Sequence, residues 1–120
     1  MAESRFGVGL CSPDDLKKRL DEGQPLVLLD VREDDERNYC AIAAPVHATD
    51  LHVPMGSIQE SYEQIREVAE TAPVFVYCHH GMRSMTVARW LAGRGLTGVH
   101  NLEGGIDAWS QGIDPGVRRY

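Results

Sequence analysis

Seven consecutive positions, Cys78-His79-His80-Gly81-Met82-Arg83-Ser84, bring together a thiol, two imidazoles, a glycine, a guanidinium and a hydroxyl. Cysteine is nucleophilic as its thiolate, so the neighbours that stabilise an anion decide whether Cys78 reacts. Directly before it, Val74-Phe75-Val76-Tyr77 is continuously apolar and predicts a buried strand; directly after it, the stretch 84–93 is rich in helix formers. A cysteine between a strand and a helix start meets backbone N–H groups that lack partners within the helix and can point at an anion. Arg83 adds positive charge, Gly81 supplies the backbone freedom for a tight loop around sulfur, and Ser84 is placed to cap the helix. Such a site makes Cys78 a reactive nucleophile at neutral pH.

His79 and His80 are read as contacts to an anionic substrate, as imidazolium ions or as neutral N–H donors, with solvent-facing side chains as the alternative. Adjacent Cys78, His79 and His80 do not have the spacing of a structural zinc site, and Cys11 and Cys40 are remote in sequence, so neither a metal nor a cofactor is expected. Cys11 and Cys40 are read instead as small buried hydrophobes, without disulfides. Asp30 and Arg32 stand at the end of another apolar run, where Arg32 is expected to brace the loop or pair with a carboxylate. Trp90 and Trp109 read as packing residues, and His47, His52 and His100 have no neighbours that suggest chemistry.

The elements that must position these groups alternate along the chain. Ser12-Pro13-Asp14-Asp15 is a helix start, predicting a helix over 13–22 that ends at Gly23. Leu26-Val27-Leu28-Leu29 predicts a strand buried on both faces and ending on Asp30. Residues 33–38 suggest a short helix, 41–54 mostly loop with a short strand near 51–53, and Tyr62, Ile65, Val68 and Ala69 one face of an amphipathic helix. After the helix at 84–93, residues 99–102 predict a strand, 103–105 a turn and 106–111 a short helix, while the tail from Gly112 shows no packing pattern. This alternation predicts an α/β fold, an open and mainly parallel sheet with helices on both faces, whose strand carboxyl ends form the binding edge.

The length of 120 residues, with 42% apolar and 25% charged side chains, suits one domain over 1–120. A formal net charge of -6, with no basic run longer than Lys17-Lys18-Arg19, disfavours nucleic acid as a partner. No apolar stretch approaches a membrane span and the first ten residues lack the features of an export signal, so a cytoplasmic protein is expected.

Three blocks in this sequence resemble the rhodanese homology domain. They are Leu29-Asp30-Val31-Arg32-Glu33, the Cys-x-x-Gly-x-Arg-Ser loop from Cys78, and Leu102-Glu103-Gly104-Gly105-Ile106-Asp107-Ala108-Trp109, together spanning about 26–111 in the family's order. The resemblance implies a sulfurtransferase in which a loop of positions 78–83 curls around the cysteine sulfur. It implies small sulfur donors such as thiosulfate or mercaptopyruvate, a persulfide on Cys78, and cyanide, a thiol or a sulfur-acceptor protein as recipient. Many members have Arg directly after the cysteine where this chain has His79, and the family's Gly-His-Ile-x-Gly-Ala segment is poorly matched over 41–48. The rival readings are a cysteine phosphatase or arsenate reductase and a non-catalytic binding module or persulfide carrier. Phosphatases of this kind place one residue more between Cys and Arg than the four at 79–82, and inactive relatives usually lose the cysteine that this chain retains.

Overall fold

A computed structural model of the protein describes residues 2–3 and 7–120, with side chains from residue 7 onward. The strands are β1 (Ala2–Glu3), β2 (Gly9–Cys11), β3 (Leu26–Asp30), β4 (Ala48–His52), β5 (Val74–Tyr77) and β6 (Val99–Leu102). The helices are α1 (Pro13–Asp21), α2 (Asp34–Tyr39), α3 (Tyr62–Ala69), α4 (Met82–Gly93) and α5 (Gly105–Gly112), with a short 3-10 turn at Met55–Ser57. The sheet order is β1-β2-β6-β5-β3-β4, with β2 through β4 parallel and β1 antiparallel at the edge. The α/β fold with a five-stranded parallel sheet is therefore as the alternation predicts.

Every residue of β3 and β5 is buried, as the unbroken apolar runs require of strands covered on both faces. Side chains alternate between two cores. Val27, Leu29, Val74, Val76 and Cys78 pack with Ile65, Val87 and Leu91 of α3 and α4, whereas Leu26, Leu28, Phe75 and Tyr77 pack with Leu16, Ile106 and Trp109 of α1 and α5. Because β3 and β5 are parallel neighbours, the loops after Asp30 and Tyr77 open on one edge, and the period of two turns Cys78 toward the α4 side.

Local signals set most boundaries. Ser12 caps α1 by accepting from the Asp15 N–H at 3.1 Å, with Pro13 at the first helical position. α2 is held by a capping box between Glu33 and Glu36. Two expectations are corrected, and one strand is added. β2 is a strand of three residues, too short to show a period, and Gly9 fits there because a Cβ would run into the His100 ring. β4 begins at Ala48, earlier than 51–53, since its register against β3 is set by the partner strand and not by its own polar, half-exposed sequence. The tail after Gly112 does pack: Val117 is buried in the second core, and its carbonyl accepts from the Ser110 hydroxyl at 2.6 Å. Among the described residues no helix is long and apolar enough to cross a membrane.

Candidate active site

Gly81 terminates the loop after β5 with φ +105°, a conformation open to glycine without strain, and serves as the residue preceding α4. This turn brings the backbone N–H of Gly81 to 3.1 Å from Cys78 Sγ and that of Ser84 to 3.3 Å. Ser84 is thus not the helix cap that its sequence position suggests. It lies inside the first turn, fully buried, with Oγ 3.3 Å from Cys78 Sγ and donating to Asn101 Oδ1 at 2.6 Å. Asn101, projecting from β6, closes the circuit by donating from its amide to the Gly81 carbonyl at 3.2 Å. Cys78 is 1% exposed, so its sulfur sits in a polar socket rather than on an open rim.

The second wall comes from α5. Ile106 N–H donates to the Cys78 carbonyl at 2.9 Å and Asp107 N–H to the His79 carbonyl at 3.1 Å, which uses the unpaired N–H groups at the helix start to fix the loop backbone. Gly105, with φ +61°, allows this approach: a Cβ there would collide with both carbonyls.

Charged residues surround the loop in compensated pairs. Arg83 makes a bidentate contact with Glu36 at 2.7 and 2.9 Å, and its hydrogen bonds to the carboxylate hold the Glu36 carboxyl down at about 2. Arg32 is buried and makes two hydrogen bonds to Asp30, at 2.9 and 2.8 Å, with further donation to the carbonyls of Cys40 at 2.7 Å and Glu36 at 3.3 Å. It braces α2 and the segment after it. The Tyr120 hydroxyl accepts from Arg32 Nη1 at 3.0 Å and donates to Glu36 Oε2 at 2.7 Å. Its ring stacks on His79, which also meets the tilted His80 ring with centroids 3.8 Å apart. Burial is the main cause that depresses the His79 pKa, with His80 adding to it.

The model of the Rhodanese-like domain family matches residues 12–112. The chain belongs to that family. It is similar to the Bacillus subtilis (strain 168) protein named Putative sulfurtransferase YtwF, with 37% identity over 100 residues covering 83% of this chain and 88% of that protein. It is similar also to thiosulfate sulfurtransferase GlpE of Coxiella burnetii (strain RSA 493 / Nine Mile phase I), with 36% identity over 86 residues covering 70% and 71%. Among solved structures, a rhodanese-like domain protein from Staphylococcus aureus superposes with TM-score 0.70 at 28% identity, covering 94% of this chain and 99% of that one.

In this rhodanese-like domain the backbone from Cys78 to Ser84 curls around the Cys78 sulfur, and three residues that pack on this loop were not legible as its neighbours. Glu36 had a signal, the glutamate of a capping box, which speaks for a helix start and not for a partner to Arg83. Asn101 and Tyr120 had none, because each reaches the site only through the sheet or the folded tail. Met82 projects into solvent at 80% exposure, and Cys40 is half-exposed rather than buried, with Arg32 Nη1 at 3.6 Å from its sulfur. Cys11 is fully buried, which pushes its thiol up to about 11. The adjacent histidines gain a third neighbour that spacing did not reveal: ligating atoms of His79, His80 and Asp107 lie within 4.8 Å of one another. The Asp107 carboxylate is already engaged by Arg119 at 3.0 Å and Gln111 at 2.9 Å.

Proposed function

We propose that this rhodanese-like domain transfers a sulfane sulfur through a persulfide on Cys78. The observation that carries this reading is the pair of backbone N–H groups, from Gly81 and Ser84, aimed at the Cys78 sulfur at 3.1 and 3.3 Å. Donors already in place at the reacting atom stabilise negative charge without reorganising, first on the thiolate and then on the persulfide. With thiosulfate as donor, the Cys78 thiolate attacks the sulfane sulfur, the donor S–S bond breaks, and sulfite leaves with the bonding pair. A thiol or cyanide then attacks the outer sulfur and regenerates the Cys78 thiolate. Mercaptopyruvate serves the same first step with pyruvate as the leaving fragment, after protonation at carbon. The four-residue spacing from Cys78 to Arg83 makes a cradle suited to one sulfur rather than to a tetrahedral phosphate.

Intact-mass analysis tests the reading. Fully reduced protein incubated to completion with thiosulfate, and separately with mercaptopyruvate, is expected to gain one sulfur atom mapped to Cys78 and to lose it on adding cyanide. Cys78→Ser should keep the fold and gain nothing. A wild-type protein that stays unloaded with both donors, or a serine variant that transfers sulfur as fast as its parent, overturns the reading in favour of a binding module.

A further inference from the structure

We infer that the preferred donor is an organic hydropersulfide, R–S–SH, rather than the thiosulfate dianion, because the cations around the Cys78 loop are neutralised by carboxylates within the fold. This rests on the sulfurtransferase reading and names the substrate class of the same site. Arg83, the one guanidinium of the loop itself, has both terminal nitrogens on the Glu36 carboxylate at 2.7 and 2.9 Å. Arg119 is bound by Asp107 at 3.0 Å, and His80 Nε2 faces the same carboxylate at 3.8 Å. Arg32 is spent on Asp30 with neither side chain exposed. Where many relatives carry an arginine directly after the cysteine, this chain has His79, an imidazole stacked against Tyr120 with ring centroids 3.8 Å apart. Burial disfavours the charged form of His79, so it adds little positive charge at neutral pH.

A dianion entering this site would keep one charge for the N–H groups around Cys78 Sγ and find Glu36 and Asp107 near the other. The protein's net charge of -6 opposes its approach as well. A hydropersulfide brings no second charge on its sulfur, and its organic group meets the aromatic wall formed by Tyr120, His79 and His80. The step balances without an added oxidant or reductant. The Cys78 thiolate bonds to the outer sulfur of R–S–SH, the S–S bond of the donor breaks, the thiolate R–S⁻ leaves, and the outer proton stays on the new persulfide until it ionises.

The test compares benzyl hydropersulfide, which carries no carboxylate, with thiosulfate in single-turnover loading of the full chain at pH 8, followed by mass. The wild type should show a kcat/KM for the hydropersulfide at least about ten-fold above that for thiosulfate, a difference worth one charge interaction near 1.4 kcal/mol. Glu36→Gln keeps the capping box, which accepts Glu or Gln, yet releases the Arg83 charge. It should improve thiosulfate more than hydropersulfide, narrowing the ratio about five-fold, chiefly through a lower KM for thiosulfate. Glu36→Asp, which retains the charge, should leave the ratio near that of the parent. Thiosulfate loading as fast as hydropersulfide, or a ratio that Glu36→Gln does not narrow, overturns the inference while leaving sulfur transfer intact. If neither donor places sulfur on Cys78, it is the sulfurtransferase reading that falls.

Discussion

Tyr120 lies on His79 with ring centroids 3.8 Å apart and planes at 8°, tying residue 120 to the loop that begins at Cys78. The same side chain bridges Arg32 and Glu36 through its hydroxyl. Tyr120→Phe retains the stack and removes the bridge. Hydrogen bonds to charged groups contribute up to about 3 kcal/mol when enclosed, but Tyr120 is 42% exposed, so a loss of about 1 kcal/mol is expected. Urea denaturation of the two proteins measures it, and coincident curves would remove the bridge from the account of stability.

Acid should destabilise the fold in two stages. The sign follows from which state binds more protons. Glu36 is held at about 2 against an ordinary 4.5, first by hydrogen bonds from Arg83, so its contribution is complete above about 4.5 and is lost as pH falls toward 2. His79 is also lowered, chiefly by burial; the unfolded chain therefore takes up its proton first, and stability declines as pH drops through about 6.5. Denaturation midpoints between about pH 8 and 3 should fall in both windows, and Glu36→Gln should flatten the lower one. A flat wild-type profile contradicts both assignments.

Gly105→Ala should damage the site and the fold together. A left-handed residue with a side chain costs about 1–2 kcal/mol, and here the added Cβ also meets the carbonyls of Cys78 and His79. Displacing that backbone moves the N–H groups that face the sulfur, and a shift of about 1 Å at a reacting centre can cost a hundred-fold in rate. Sulfur loading measured on the folded fraction should fall accordingly. Gly112→Ala, with open space around the new methyl, serves as control and should match the parent in both respects.

Among the described residues, Arg32→Ala leaves the fully buried Asp30 carboxylate with only Arg37, at 3.3 Å, as an ionic partner. Removing one member of a buried ion pair typically costs about 3–5 kcal/mol. Arg32 also donates to two carbonyls that anchor α2, so the helix carrying Glu36 should loosen as well. Thermal and chemical unfolding read the stability, and hydrogen exchange over 34–39 reads the helix. A variant as stable as the parent would show that Arg32 braces nothing.

The sequence alone determined the two central strands and the loop that follows the second of them. Leu26 to Leu29 and Val74 to Tyr77 are apolar at every position, a pattern that only a strand covered on both faces satisfies, and a cysteine placed where such a strand turns into a helix is directed at unpaired N–H groups. Glycine at position 81 marked backbone that must be free of a Cβ, and it proved to have positive φ. Tertiary structure decided the electrostatics. Sequence places Arg83 beside Cys78 as a free cation, yet Glu36 lies 47 positions away and reaches it only because parallel β3 and β5 open onto one edge. Asn101 enters through the pairing of β6 with β5, and Tyr120 through a tail anchored by Val117, neither of which leaves a periodic trace in the chain. Hydrophobic period and turn chemistry are local and survive in a sequence; charge compensation depends on which distant side chains share a surface, and only the folded chain specifies that.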